Sequence, residues 1–169
     1  MLRRLRENGP VVLVPLAWTF ATAAHLDLLA LRTVLIAHLV MDAIIAAFTV
    51  LSWREMTDGV LLVWRRVLVV GLGVTLVGTA ALSVDPPVDP LLSATVLGWM
   101  LVPAAGLVAT GRRIDRRPRA YTLGGAVSAV GAVVYLGGVL APLSALLLAG
   151  LTMANVGQTA GIVAAVYDY

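Results

Sequence analysis

Asp42 is the residue of this chain whose chemistry stands out most from its surroundings. It interrupts the apolar stretch of residues 33–51, and an ionisable group at the centre of a membrane helix costs at least about 2.5–3.5 kcal/mol on insertion scales. Such a group is expected to face protein neighbours, where it can bind a proton or a cation. His38 precedes it by one helical turn, so the two side chains can touch and His38 can relay a proton.

Further polar side chains occur at similar depths in other apolar stretches. Counting from the outer turns places Asp42 about 18 Å and Asn155 about 20 Å into their stretches, at ~1.5 Å per residue. We therefore expect Asp42 and Asn155 to meet, with Gln158 one turn further in. On the first stretch a stripe at steps of four and three comprises Trp18, Thr22 and His25. Together these residues predict a polar cavity that opens outward.

Three interpretations of this polar set remain open. The polar side chains can be hydrogen-bonded contacts between helices with no further role. Alternatively, Asp42 is a proton or cation site of a transporter, with His38 as a relay and with Asn155 and Gln158 as substrate contacts. A third interpretation assigns cofactor chemistry. His25 and His38 are the only histidines, and their estimated depths differ by about 4 Å, which permits axial ligation of haem or a metal.

Most catalytic motifs are missing from the sequence. It contains no HExxH, no phosphate-binding loop of the Walker type, no GxSxG and no GxGD, which argues against hydrolases and kinases of the soluble type. The chain has no cysteine and no lysine, so thiolate chemistry, disulfides and Schiff bases are excluded. We therefore predict no cofactor and no enzyme activity, and keep the bis-histidine site only as the alternative.

Long apolar stretches must position these residues. Hydrophobic residues make up 60% of the chain and the mean hydropathy is +0.98, above the roughly 45–50% apolar content of soluble domains. Stretches of about 20 residues are long enough to cross a bilayer, and the Gly137-Gly138 pair with Pro142 divides the last long stretch in two. The sequence predicts one all-α domain, a polytopic bundle of six transmembrane helices at residues 10–28, 33–52, 66–84, 91–110, 120–139 and 143–166.

The arginines predict the orientation of this bundle. Placing the amino terminus in the cytoplasm leaves only Arg32 outside and puts both termini inside, as the positive-inside rule requires. The net charge of +3 is then explained by orientation and by anionic lipid, so we predict a bilayer partner and no nucleic acid. The arginines on the inner side are Arg3, Arg4, Arg6, Arg54, Arg65, Arg66, Arg112, Arg113, Arg116, Arg117 and Arg119.

The amino-terminal stretch has a second interpretation. Arginines, the apolar residues 11–20 and the small residues Ala21, Thr22 and Ala23 also match the three parts of a secretory signal peptide. Cleavage there would leave five spans. We favour retention, because the apolar stretch continues past the cleavage position and the next stretch completes a helical hairpin.

Small residues predict how the helices pack. Gly150, Gly157 and Gly161 share one face of the sixth stretch, and Gly124 and Gly131 share one face of the fifth, which allows close backbone approach. Tight packing within one chain is favoured over homodimerisation, although a homo-oligomer or membrane partner subunits remain open. A weak resemblance between residues 16–26 and 97–107 suggests a 3+3 inverted repeat.

The sequence therefore predicts a small multi-pass protein of the cell membrane. As its function we favour a transporter or channel-like protein that uses Asp42 as a protonatable group in the middle of the membrane. The alternative is a non-catalytic membrane protein that acts as an assembly factor or as a subunit of a larger membrane complex.

Overall fold

The computed structural model describes residues 2–168, with side chains for residues 11–165. Within these residues all regular structure is helical, as predicted, and comprises α1 Leu2–His25, α2 Leu31–Ser52, α3 Gly59–Leu82, α4 Asp89–Gly111, α5 Pro118–Leu140 and α6 Ser144–Asp168. Helices α2 to α6 are each long and apolar enough to cross a membrane. In α1 the apolar part of the described side chains is Val11–His25, and the side chains of Arg3, Arg4 and Arg6 lie outside the described set.

Prolines mark several helix boundaries. Pro118 opens α5 and Pro90 lies in the first turn of α4, where the missing amide hydrogen would have no helical partner. The chain turns between α5 and α6 at residues 141–143, as Pro142 predicts. Gly137 and Gly138 nevertheless lie inside α5. An added Cβ on Gly138 would come within 2.7 Å of the Leu147 backbone nitrogen, whereas one on Gly137 would meet only the Leu146 side chain at 3.8 Å. Gly138 therefore serves the close packing of α5 on α6, and neither glycine forms the turn.

Helices α1, α4, α5 and α6 form a four-helix core. The interface between α5 and α6 is the largest in the described residues, and α5 also packs on α4 while α6 packs on α1. Gly157 lies against the Gly124 backbone, and Gly150 and Gly131 pair in the same way, because only glycine lets two helix backbones approach so closely. Gly161 instead faces Leu107 of α4.

Large side chains fill the centre of this four-helix core. The buried cluster contains Trp18 of α1, Met100 of α4, Tyr135 of α5 and Leu151 of α6. Met100 and Leu151 have no exposed surface. The core therefore excludes solvent and lipid along the middle of these helices.

The hairpin of α2 and α3 lies beside this core. Helix α3 packs on α4, while α2 packs on α3 and forms no comparable interface with α1 or α6 among the described residues. Gly71 of α3 lies under the Trp99 ring of α4, and the Trp99 indole nitrogen donates to Thr75 at 3.0 Å. Because α2 has α3 as its one extensive neighbour, it is the outlying helix of the fold.

Candidate functional site

The buried face of α2 is mostly polar. Its buried residues are Asp42, Ile45, Thr49 and Ser52, spaced at steps of three and four, which is one side of a helix. Since α3 is the helix that packs against α2, this side is the α2–α3 contact. We define the polar seam as His38, Asp42, Thr49 and Ser52 of α2 with Thr79 of α3.

Asp42 is held by one hydrogen bond and keeps one oxygen without a partner. The Thr79 hydroxyl donates to Oδ2 of Asp42 at 2.6 Å. The Asp42 side chain is only 9% exposed, and its Oδ1 has no hydrogen-bond partner. A buried carboxylate oxygen without a donor is costly, so this oxygen is suited to accept a proton, a cation or a water molecule.

Thr49 repeats this situation on the same face of α2. Its hydroxyl is buried and has no hydrogen-bond partner. Threonines inside helices often donate to a carbonyl one turn back, as Thr75 does, and Thr79 donates to Asp42 instead. Within the described part of the chain, Asp42 Oδ1 and Thr49 Oγ1 are the two buried side-chain atoms left in this state. Both lie on the polar seam.

His38 lies one turn from Asp42 but is not hydrogen-bonded to it in the described structure. Its Nδ1 donates to the Val34 carbonyl at 3.1 Å, which leaves Nε2 as the acceptor nitrogen of a neutral ring. An added Cβ on Gly78 would lie 3.1 Å from this Nε2 and 2.8 Å from the Thr95 methyl group. The absent side chain of Gly78 thus makes room for the imidazole.

The seam lies closer to one end of the bundle than counting along α2 predicts. Asp42 is about 16 Å along α2 from Leu31, at ~1.5 Å per residue. Its partner Thr79, however, is about 4.5 Å from the end of α3, and Thr95 is about 9 Å from the start of α4. Helix α2 is therefore displaced along its axis relative to α3, and Asp42 lies nearer to the Asp85–Asp89 end of the bundle. The sequence estimate assumed that neighbouring helices end at one level.

Gln158 belongs to a different cluster inside the four-helix core. Its Oε1 accepts from the Trp18 indole nitrogen at 3.1 Å, and its Nε2 donates to the Trp99 carbonyl at 2.9 Å and to the Ser128 hydroxyl at 3.0 Å. Ser128 in turn donates to the Met100 carbonyl at 2.8 Å. These bonds connect all four helices of the core.

Pro103 explains why the Trp99 carbonyl is available to Gln158. In a regular helix the amide at position 103 would donate to the carbonyl at position 99, but proline has no amide hydrogen. Helix α4 continues through Pro103, so the Trp99 oxygen needs another donor. Gln158 supplies it, and the amide group of Gln158 is thereby engaged at both its oxygen and its nitrogen.

Asn155 and Asp42 are not brought together. Helix α6 packs on α1, α5 and α4 and forms no extensive interface with α2 in the described residues. The Asn155 oxygen accepts from Thr159 of its own helix at 3.1 Å. The predicted common cavity of Asp42, Asn155 and Gln158 is thus divided between the polar seam and the core, because α5 and α1 take the positions beside α6.

The stripe on α1 points into the core instead of the seam. The Thr22 hydroxyl donates to the Trp18 carbonyl at 2.8 Å. His25 Nδ1 donates to the Ala21 carbonyl and its Nε2 accepts from the Tyr135 hydroxyl, both at 2.8 Å, with the two rings edge to face. His25 therefore contacts α5, whereas His38 contacts α3.

Possible metal ligands do not gather in the described structure. No group of three or more histidine, aspartate or glutamate side chains with a metal-binding arrangement occurs in its residues. Both ring nitrogens of His25 already take part in hydrogen bonds, so axial ligation would require breaking the contact with Tyr135. His38 retains a free Nε2 that such a role would need.

Four contributors to these sites, Thr49, Ser52, Thr79 and Ser128, were not singled out from the sequence. Thr49 and Ser52 could have been found, because they repeat with Asp42 at helical spacing. Thr79 and Ser128 bond across to Asp42 of α2 and to a backbone carbonyl of α4, and such bonds between helices have no local signal in the sequence.

Comparison of the chain with protein-family models, with curated proteins and with solved structures finds no match. The function of the chain is therefore inferred from the geometry of the polar seam.

Proposed function

We propose that this chain is a multi-pass protein of the cell membrane that moves a proton or a small cation along the polar seam, as a transporter or channel-like protein. The observation that carries the proposal is that the two unpartnered buried oxygens of the described side chains, Asp42 Oδ1 and Thr49 Oγ1, share one face of α2. Intramembrane ionisable residues that face protein neighbours commonly mark ion or proton pathways.

The seam supplies the groups that such a pathway needs. Asp42 is the proton or cation acceptor, and Thr79 fixes the orientation of its carboxyl group through Oδ2. His38 is the relay on the side of the Asp85–Asp89 loop, through its free Nε2. Thr49 lies about 10 Å further along α2, at ~1.5 Å per residue, which is too far for a direct hydrogen bond. Water molecules must therefore bridge the two oxygens during transfer.

The proposed orientation places both termini in the cytoplasm. Arg54, Arg112 and Arg113 then lie at the inner surface, while Asp85 and Asp89 lie outside, in agreement with the positive-inside rule. In this orientation Asp42 and His38 face the outer half of the membrane, and Ser52 is the inner end of the seam. A proton would enter from outside through His38 and reach Asp42 first.

The second candidate is a non-catalytic assembly factor or subunit of a larger membrane complex. The observation that favours it is the position of α2, which packs on α3 and leaves most of its apolar surface uncovered. A partner helix could cover this surface. In that case the polar seam would stabilise the α2–α3 pair without transport.

Proton flux into proteoliposomes distinguishes the two candidates. The protein is reconstituted with a pH-sensitive dye inside the vesicles, and a pH gradient and a membrane potential are applied in turn. We expect Asp42→Asn to reduce the flux at least tenfold, because asparagine keeps the shape of the side chain and cannot bind a proton. Asp89→Asn, which removes an exposed carboxylate in the first turn of α4, should change the flux less than twofold.

Folding is checked for both variants by their helical circular dichroism and thermal unfolding. A folded Asp42→Asn protein with the flux of the wild type would contradict the transport proposal. Replacing the proton gradient with sodium or potassium gradients extends the same test to cations. Absence of flux for every ion in the wild type, together with a partner that co-purifies at fixed stoichiometry, would favour the second candidate.

A further inference from the structure

An open groove lies between α4 and α5 on the bundle surface. Its volume is about 650 Å³. Helices α4 and α5 approach each other closely at its floor, where an added Cβ on Gly125 would come within 2.6 Å of the Ala104 carbonyl oxygen. Ala105, Ala126 and Ala129 line its sides, and their small side chains leave the space unfilled.

The dimensions of the groove match one leaflet of a bilayer. Its lining along α4 extends from Leu101 to Arg112, which is about 16 Å at ~1.5 Å per residue. Half of a typical hydrocarbon core is about 15 Å. All lining side chains except the two arginines at one end are apolar or absent, so the groove suits a single acyl chain that lies along the helices.

Two positive charges lie at the end of the groove. Arg112 and Arg113 follow the last turn of α4 and are exposed. The Arg113 guanidinium donates to the Ala109 carbonyl at 2.8 Å, which holds it at the mouth of the groove. No ion pair with a carboxylate is present for either arginine within the part of the chain that the structure describes. A guanidinium pair without a counter-ion is suited to a phosphate group.

We infer that this groove is a binding site for an anionic glycerophospholipid, with one acyl chain between α4 and α5 and the headgroup phosphate at Arg112 and Arg113. The groove fits this occupant because its charge is complementary to the phosphate at one end and its apolar part is as long as one leaflet. Basic pockets between membrane helices on the inner side bind anionic lipid headgroups in this way. The inference concerns a different part of the fold from the polar seam and does not depend on transport.

Native mass spectrometry of the detergent-purified protein tests the site. The probes are phosphatidylglycerol, phosphatidylcholine of the same acyl chains, and inorganic phosphate. We expect one phosphatidylglycerol to be retained per chain, with affinity about 30-fold lower in Arg112→Gln/Arg113→Gln, as expected for about 1 kcal/mol per arginine. The matched control Arg54→Gln/Arg66→Gln removes the same charge away from the groove and should retain the lipid.

Filling the groove gives an independent variant. Ala126 is exposed and lines the groove, so Ala126→Phe should lower retention at least tenfold, while Ala94→Phe, at an exposed position of α4 outside the groove, should not. If Ala126→Phe lowers the thermal stability, Ala105→Phe fills the same space from α4.

Three results would overturn the inference. The first is equal retention of phosphatidylcholine, because it would show that the arginines do not select the headgroup. The second is equal loss in the two arginine double variants, because it would show unspecific attraction to charge. The third is full displacement of the lipid by inorganic phosphate with no effect of Ala126→Phe, because it would show a free-phosphate site without a role for the acyl chain.

Discussion

Removing the amide of Gln158 should reveal how much the central hydrogen bonds stabilise the four-helix core. Gln158→Met keeps an unbranched side chain of similar length and removes four hydrogen bonds, to Trp18, to Trp99, to Ser128 and, at 3.4 Å, to Met100. Hydrogen bonds between membrane helices average about 0.6 kcal/mol and reach about 1.7 kcal/mol. We therefore expect the free energy of unfolding to fall by about 2 kcal/mol.

Pro103 gives this prediction a sharper form. In the Pro103→Ala background the amide of residue 103 can donate to the Trp99 carbonyl, so Gln158 is no longer the donor that this oxygen depends on. The cost of Gln158→Met should then be smaller by about 0.6 kcal/mol, the average of one such bond. The four proteins form a double-mutant cycle that isolates this coupling.

The measurement is unfolding in mixed micelles with increasing sodium dodecyl sulfate, followed by circular dichroism and tryptophan fluorescence. Asn155→Leu is the control, because Asn155 is half-buried on the same helix and bonds only to Thr159 in the described structure. Its cost should stay below about 0.6 kcal/mol. A Gln158→Met cost no larger than this control, or an unchanged cost in the Pro103→Ala background, would refute the role assigned to the Trp99 carbonyl.

Three further predictions concern packing, the seam and topology. In the same unfolding assay, Gly157→Ala should destabilise the protein by about 1–3 kcal/mol through overpacking against the Gly124 backbone. The control is Gly73→Ala, whose Cβ would meet nothing within 4 Å. It should be neutral or should stabilise the protein by up to about 1 kcal/mol. Thr79→Val should lower the free energy of unfolding by between about 0.6 and 1.7 kcal/mol, because it removes the hydroxyl that donates to Asp42. Thr79→Ser keeps this hydroxyl and should keep the stability of the wild type. Equal stability of the two variants would contradict the hydrogen bond. Because the chain has no cysteine, the single variants Pro87→Cys and Arg116→Cys can each be labelled in intact cells. A maleimide that does not cross the membrane should label only position 87. Labelling of position 116 alone would reverse the proposed orientation.

The helical fold could be predicted from the sequence because hydrophobic stretches and prolines act locally. Each apolar stretch became a helix, and Pro142 marked the turn between α5 and α6, since a single stretch carries the information on its own length and ends. The close approach of Gly124 to Gly157 and of Gly131 to Gly150 likewise follows from residues that share a face of one helix.

The candidate site could be predicted only in part, because it depends on which helices are neighbours. Asp42 faces a protein neighbour, but its partner is Thr79 of the adjacent hairpin helix and not Asn155. Depth counted along α2 could not reveal its axial displacement against α3. One partner of Gln158 is the Trp99 backbone carbonyl, which Pro103 leaves without a helical donor, and such a partner carries no side-chain signature that a sequence pattern can indicate.

The single interface of α2 has a mechanical consequence. Trp18, Gln158 and the paired glycines fasten α1, α4, α5 and α6 to one another, and Trp99 joins α3 to α4, so separating these five helices would break many contacts at once. Swinging α2 away from α3 on its two short connections, residues 26–30 and 53–58, would break one interface and expose Asp42 and Thr49 together. Such a motion would leave α1, α3, α4, α5 and α6 packed as one unit, and it would open the contact that holds the only buried acid among the described residues.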